Sequence, residues 1–243
     1  MFLCALVLVA GATTAQTADK KKAPKDWAKF GYYEKANAEI ADRVGKIDAV
    51  FMGNSITRGW VRQDAAFFDN NNFVGRGISG QTTSEMLVRF RQDVLDLKPR
   101  CVVIMAGIND IAMNNGIISL DNIMGNIQSM CELAKAHKIK VILCSVTPAV
   151  SFRWRPDVGC NPAEEIIRLN KMIKEYAESK KIPYVDYHSL LVDERKGMNR
   201  KYHKDEVHPN SLCYAEVLEP AILPVINKVA RTKHTYITPI EKK

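Results

Sequence analysis

The stretch CVVIMAGIND, residues 101–110, runs six apolar residues directly into a Gly-Ile-Asn-Asp turn. A strand solvated on one face alternates apolar and polar side chains, so a short unbroken apolar run reads as a strand buried on both faces, the signature of a parallel sheet covered by helices. Similar runs lie on either side: IDAVFM (47–52), NFVG (72–75), KVILCSV (140–146) and PYVDY (183–187), separated by longer stretches of helical period. Short apolar strands alternating with helices predict an α/β domain. Start signals support the helices: Thr82 with Glu85 fits a capping box, Ser119 precedes a long periodic stretch, and Asn161-Pro162 opens another. Residues 27–45 read as an amphipathic helix, and a last helix starts near Ser211, restricted or kinked by Pro220 and Pro224.

At 243 residues, 47% hydrophobic and 26% charged, the chain suffices for one domain with a substantial core. The opening MFLCALVLVAGATTAQTA carries no charged side chain and ends in small residues, so residues 1–18 read as a signal peptide cleaved near Ala15 or Ala18, although a basic n-region is missing. Cys4 precedes the apolar run and is no lipid-attachment candidate. Residues 19–26 form a basic linker containing Lys20, Lys21, Lys22 and Lys25, the domain spans 27–232, and 233–243 is a tail. Cleavage leaves Cys101, Cys131, Cys144, Cys160 and Cys213, an odd number without CxxC or zinc spacing, read as small buried hydrophobes. The net charge of +8 comes without a nucleic-acid motif.

In an open parallel sheet, ligands bind beyond the carboxyl ends of the strands. GNS (53–55) follows the first strand, GISGQTT (77–83) the second, GIND (107–110) the third, and SFRWRPDVGCN (151–161) lies beyond the fourth. Ser55 is then either a turn residue or a nucleophile, and a nucleophile needs a base. His137, His188, His203 and His234 read as structural, whereas His208 stands in DEVHP (205–209), three residues after Asp205. A carboxylate at that spacing can accept from the imidazole and fix the tautomer that leaves the other nitrogen free. Gly80 can bring a backbone N–H, and Asn109 a neutral amide, to an oxyanion.

Together GNSIT, GISGQTT, GIND and DEVHP resemble the SGNH (GDSL-type) hydrolases, a family of esterases and acylhydrolases, over about Asp48 to Tyr214. The resemblance implies a flavodoxin-like three-layer α/β/α sandwich around a central five-stranded parallel sheet. It also implies a catalytic Ser55, Asp205 and His208, and an oxyanion hole built by the backbone N–H of Ser55 with Gly80 and Asn109. Asn54 stands where the family has Asp, and Gln81 where Asp often follows the glycine. Thr57 replaces the second glycine of G-x-S-x-G, which disfavours an α/β-hydrolase elbow.

The expected function is that of a serine esterase, exported to the periplasm or extracellular space, releasing a short acyl group, acetyl, from a carbohydrate through an acyl-enzyme on Ser55. Phe152, Arg153, Trp154 and Arg155 are the candidate substrate-binding residues, since an aromatic between arginines suits a sugar face or an anionic group. The same loop reads equally as a lid packed on the domain. A lysophospholipase or thioesterase-like lipid acylhydrolase is the enzymatic alternative, a carbohydrate-binding module the non-enzymatic one. A metal hydrolase would have to use Asp186, His188, His203 and His208, whose spacing follows no familiar ligand pattern. No cofactor, metal, nucleic-acid partner or lasting membrane anchor is expected.

Overall fold

Five parallel strands, β1 (Ala49–Gly53), β2 (Phe73–Gly77), β3 (Cys101–Met105), β4 (Lys140–Cys144) and β5 (Tyr184–Val185), pair in the order β2-β1-β3-β4-β5 in a computed structural model that describes residues 26–240. The leader and nearly all of the basic linker lie outside the described residues. This is the flavodoxin-like order, and the chain reverses direction across the sheet between β1 and β3. Gly53 at the end of β1 is level with Gly77 of β2 and Met105 of β3. The turns after these three strands therefore meet at one rim.

Alternation along each strand sends side chains to opposite faces. Val50, Met52, Val102 and Ile104 pack in one core with the helices Thr83–Phe90, Leu120–Ala136 and Pro162–Lys180. Ala49, Phe51, Cys101 and Val103 pack in the other with Ser55–Gln63, Ala65–Asn70 and Glu219–Ala230. There Trp60 stacks between Phe67 and Tyr214, with ring centroids 5.5 and 5.2 Å away. Helix starts follow the expected signals: Thr82 and Glu85 form a capping box, Ser119 accepts from the Asn122 N–H, and Asn161 accepts from Ala163 and Glu164 ahead of Pro162. The five cysteines from Cys101 onward are free, all but Cys160 buried.

The stretch 27–45 is not one amphipathic helix. It breaks into a 3-10 turn (Phe30–Tyr32), a helix (Glu34–Glu39) and a second 3-10 turn (Ala41–Arg43), none with a fully buried residue. Its polar groups bind instead: Tyr33 Oη donates to the Gly77 carbonyl at 2.5 Å, and Asn37 Oδ1 accepts from Arg76 at 2.6 and 3.0 Å. The last helix opens at Ser211–Cys213, widens into a π turn at Tyr214–Leu218 and continues as Glu219–Ala230 with Pro224 inside it. Pro220 has no N–H to close the preceding turn, which fits a widening at that point.

Residues 233–240, read as a tail, lie against the domain. The Thr238 N–H donates to Glu219 Oε2 at 2.7 Å, Asn71 donates to the Tyr236 carbonyl at 2.9 Å, and the His234 ring meets Asp48 at 3.0 Å. Glu219 is fully buried, and Asp64 is buried close by, its Oδ2 without a hydrogen-bond partner among the described residues. Burial first, then the charge of Glu219, pushes the Asp64 carboxyl from 3.8 up to about 6. The folded state thus holds this proton more tightly than the unfolded chain, so the destabilisation is complete above about pH 6 and fades as pH falls toward 4. Asp64→Asn is expected to raise Tm at pH 7.5 by about 2–4 °C, the shift that roughly 1 kcal/mol produces in a domain of this size. It should also narrow the difference in Tm between pH 7.5 and pH 5. A calorimetric Tm at pH 7.5 equal to or below that of the unaltered protein would refute this account.

Candidate active site

Ser55 is the first residue of the helix Ser55–Gln63, directly behind β1. Asn54 is its N-cap and accepts from the Ile56 N–H through Oδ1 at 2.9 Å. An aspartate would cap in the same way, so the departure at this position keeps the local geometry. In the first helical position, the Ser55 N–H has no carbonyl within the helix to bind.

The last helix begins at Ser211, and the loop before it carries the histidine to this point. Ser55 Oγ lies 2.8 Å from His208 Nε2, and His208 Nδ1 lies 2.8 Å from Asp205 Oδ2. Asp205 Oδ1 also accepts the backbone N–H of His208 at 2.8 Å and of Val207 at 3.2 Å. Partial burial raises the Asp205 carboxyl, but the donations from the His208 backbone and ring outweigh it and hold the group below 3.8. An ionised Asp205 accepts the Nδ1 proton and leaves the Nε2 lone pair facing the serine hydroxyl. The loop is itself supported: Glu206 adopts a left-handed φ of 71°, and its N–H donates to His203 Nδ1 at 2.9 Å. His203, read as structural, acts here as a brace.

Gly80 has φ 81°, and the Gln81 N–H donates to the Ile78 carbonyl at 3.3 Å, which fits the third position of a type II turn that only glycine occupies without strain. Gly107, with φ 124°, caps the short helix Ile108–Ile111 that carries Asn109. Asn109 is buried, and its Nδ2 donates one proton to the Gln81 carbonyl at 3.0 Å. An amide NH₂ has a second proton, which stays available. Asp110 beside it accepts the Thr83 N–H at 2.9 Å and the Thr83 hydroxyl at 2.6 Å, tying this turn to the one after β2.

A hydroxyl, an imidazole and a carboxylate in sequence, next to a glycine turn and a buried amide, make up the constellation of acyl transfer. The family description GDSL-like lipase/acylhydrolase matches residues 51–215. The chain belongs to this family. A GDSL-like lipase from Bacteroides thetaiotaomicron VPI-5482 is 48% identical in a superposition covering 83% of this chain and 98% of that one, with a TM-score of 0.79. An acetyl xylan esterase from Geobacillus stearothermophilus shares the fold at 22% identity and a TM-score of 0.56, over 73% of this chain and 93% of that one. The uncharacterized lipoprotein YqeF of Bacillus subtilis (strain 168) is 33% identical over 123 residues, 44% of this chain. The chain spans about half (51%) of the length of that curated relative. Membership makes the protein a carboxylic ester hydrolase of the GDSL-like type.

The second departure from the GDSL-like pattern is absorbed beneath the site. Gln81 Oε1 accepts from Arg89 Nε at 2.5 Å, and Gln81 Nε2 donates to the Ala28 carbonyl at 3.5 Å, a role an aspartate lacks. Arg89 is fully buried, pairs with Asp93 at 2.8 Å and donates to the Gly53 carbonyl at 3.0 Å, joining the first two turns from below. Its sequence signal is an arginine on the apolar face of a helix, which reads as surface charge until the fold is known.

The loop 151–161 divides. Phe152 is 1% exposed and belongs to the core, which corrects its reading as a substrate contact. Arg155 is half-buried and donates to the Met113 carbonyl at 2.9 Å, fastening the loop, whereas Arg153 is exposed. Trp154 is 39% exposed, and its ring centroid lies 6.0 Å from that of His208. Its Nε1 donates to Asn114 Oδ1 at 2.8 Å, and Asn114 Nδ2 donates to the Gly80 carbonyl at 3.1 Å. Asn114, which carried no motif, thus links the loop to the glycine turn.

Ser55 and His208 border a cleft of about 210 Å³. A larger groove of about 1060 Å³ opens at the other end of the sheet, around Lys140, Ile182 and Lys228, and contains none of these groups. Among the described residues no cluster of three His, Cys, Asp or Glu side chains could hold a metal ion, so Asp186, His188, His203 and His208 do not form the ligand set a metal hydrolase would need.

Proposed function

We propose that this GDSL-like hydrolase removes a short acyl group, acetyl, from a carbohydrate by a serine mechanism, and that it is exported. The observation that carries the mechanism is the unbroken chain of contacts from Ser55 Oγ to His208 Nε2 and from His208 Nδ1 to Asp205, each 2.8 Å. His208 Nε2 takes the hydroxyl proton as Ser55 Oγ bonds to the ester carbonyl carbon. The Ser55 and Gly80 N–H groups and the free Asn109 amide proton receive the oxyanion. Collapse breaks the bond to the alcohol, which leaves with the proton from His208. A water molecule then gives its proton to His208, adds to the acyl carbon and releases the carboxylic acid, restoring Ser55.

The cleft beside Ser55 is lined mainly by Arg58, Arg62, Gln63, Ser79 and Lys204 rather than by apolar side chains, which supports a polar substrate over a long acyl chain. Half-exposed Trp154 beside the base suits a sugar face. Acetyl release from xylan by proteins sharing this fold, such as the Geobacillus esterase, is chemistry the fold accommodates. Export rests on the uncharged apolar leader and on the lipoprotein relative, and among the described residues no helix is long and apolar enough to cross a membrane.

A chain-length series of p-nitrophenyl esters tests the acyl preference, and the expected order places acetyl well above octanoyl. Trp154→Ala is expected to raise KM for an acetylated saccharide several-fold while changing KM for p-nitrophenyl acetate little. Preference for long chains would favour a lipid acylhydrolase instead, and a saccharide KM indifferent to Trp154 would remove the stacking role.

A further inference from the structure

Arg58 and Arg62 stand three and seven residues after Ser55 on the same helix, hence on its face, and both line the cleft beside the nucleophile together with Lys204. Among the described residues no aspartate or glutamate lines that cleft. Arg58 donates to the Ser79 hydroxyl at 3.2 Å and lies 5.9 Å over the Tyr32 ring, while Lys204 donates to Gln63 Oε1 at 2.8 Å. These partners are neutral: they hold the cations in place without cancelling their charge. The two nearby acids are engaged elsewhere, Asp205 with His208 and Glu206 with Arg195 at 3.3 Å. Among the described residues neither Arg58, Arg62, Lys204 nor the exposed Arg153 makes an ion pair.

Arg58 and Arg62, like charges four residues apart, repel along the helix, while Arg62 in its last turn complements the helix dipole. A local rule broken without a compensating partner is expected where a ligand supplies the missing charge.

We propose that the alcohol side of the substrate carries an anionic group, a carboxylate on the sugar as in a uronic acid, held by Arg58, Arg62 and Lys204. The inference rests on the serine esterase reading above and specifies its substrate class. Three cations around a small concave site focus their field on it and draw anionic substrate in, an effect that salt screens.

The test compares kcat/KM of the full chain on an acetylated methyl uronoside and on the matching uronamide, which differ only in charge. The expected result is a preference for the uronate of roughly five- to tenfold at low salt, the range open to a few partly exposed ion pairs. It should shrink as ionic strength rises to about 0.5 M. In Arg62→Gln/Lys204→Gln the preference should fall toward unity, and in Arg62→Lys it should largely persist. Equal turnover of the two substrates, or a preference that the double variant keeps, would overturn the assignment. A larger gain for acetyl glycerol phosphate would also overturn it, because the site would then be reading phosphate rather than a sugar carboxylate. Turnover of the uronamide reports the esterase reading by itself: its loss in the unaltered protein defeats that reading, whereas uronamide turnover without a gain for uronate defeats only the charge assignment.

Discussion

Ser55→Ala and His208→Ala are each expected to lower kcat on p-nitrophenyl acetate by roughly 10⁴- to 10⁶-fold, the range seen when one member of a hydroxyl–imidazole pair is removed. In the proposed mechanism the 2.8 Å contact makes the two side chains one proton-transfer unit, so removing either leaves nothing for the other to do. The double variant should therefore lose little more than either single one, an extreme departure from additivity. Ser55 contributes its hydroxyl to no helix cap, since Asn54 caps this helix, and His208 is partly exposed, so Tm should change little in either variant. Steady-state rates with thermal unfolding as the control decide the matter. A Ser55→Ala protein with full activity would end the serine mechanism, and losses that add would mean the two residues act independently.

Asn109→Ala carries the next largest expected effect, a fall in kcat of about 10²- to 10³-fold with a much smaller change in KM. The amide donates one proton to the Gln81 carbonyl, and the proposed mechanism assigns the other to an oxyanion that exists only after Ser55 has attacked. Interactions made only at that stage stabilise the transition state and leave ground-state binding nearly untouched. Asn109→Asp should be no better, because an ionised carboxylate cannot donate. If Asn109→Ala kept its kcat while Tm dropped, the residue would be a structural tie between the turns after β2 and β3.

The parallel sheet was legible in the sequence because its strands are covered on both faces: burial on two sides leaves unbroken, β-branched apolar runs such as Val102–Ile104, repeated between stretches of helical period. The polar blocks at strand ends were legible for a related reason. A chain that leaves each strand at the same rim repeats its chemistry at strand ends, so GNS, GISGQ and GIND could be read in order before any distance was known. DEVHP, ahead of the last helix, was read from the spacing of Asp205 and His208. Local capping carried equally well, since Thr82, Ser119 and Asn161 act on N–H groups within three residues of themselves.

The stretch 27–45 misled because its spacing looks helical while its binding energy comes from Tyr33 and Asn37 reaching Gly77 and Arg76, some 40 residues away. Phe152 misled for the opposite reason: an aromatic in a polar loop reads as surface until the core that receives it is assembled. Arg89, Asn114 and the Arg58, Arg62 and Lys204 rim gave no motif at all, because their meaning lies in what stands opposite them. Arg89 is a buried tie only because Gly53 and Gln81 converge on it, and Arg58 is an uncompensated cation only because Ser79, rather than an acid, folds against it. The sequence by itself determined the strands, their alternation with helices and the polar blocks that gather at the rim, all of which depend on neighbours along the chain. The tertiary structure alone decided which groups share a cleft, how Ser55 meets a histidine 153 positions later, and where charge is left unpaired. Those are relations across the fold, set by packing rather than by period.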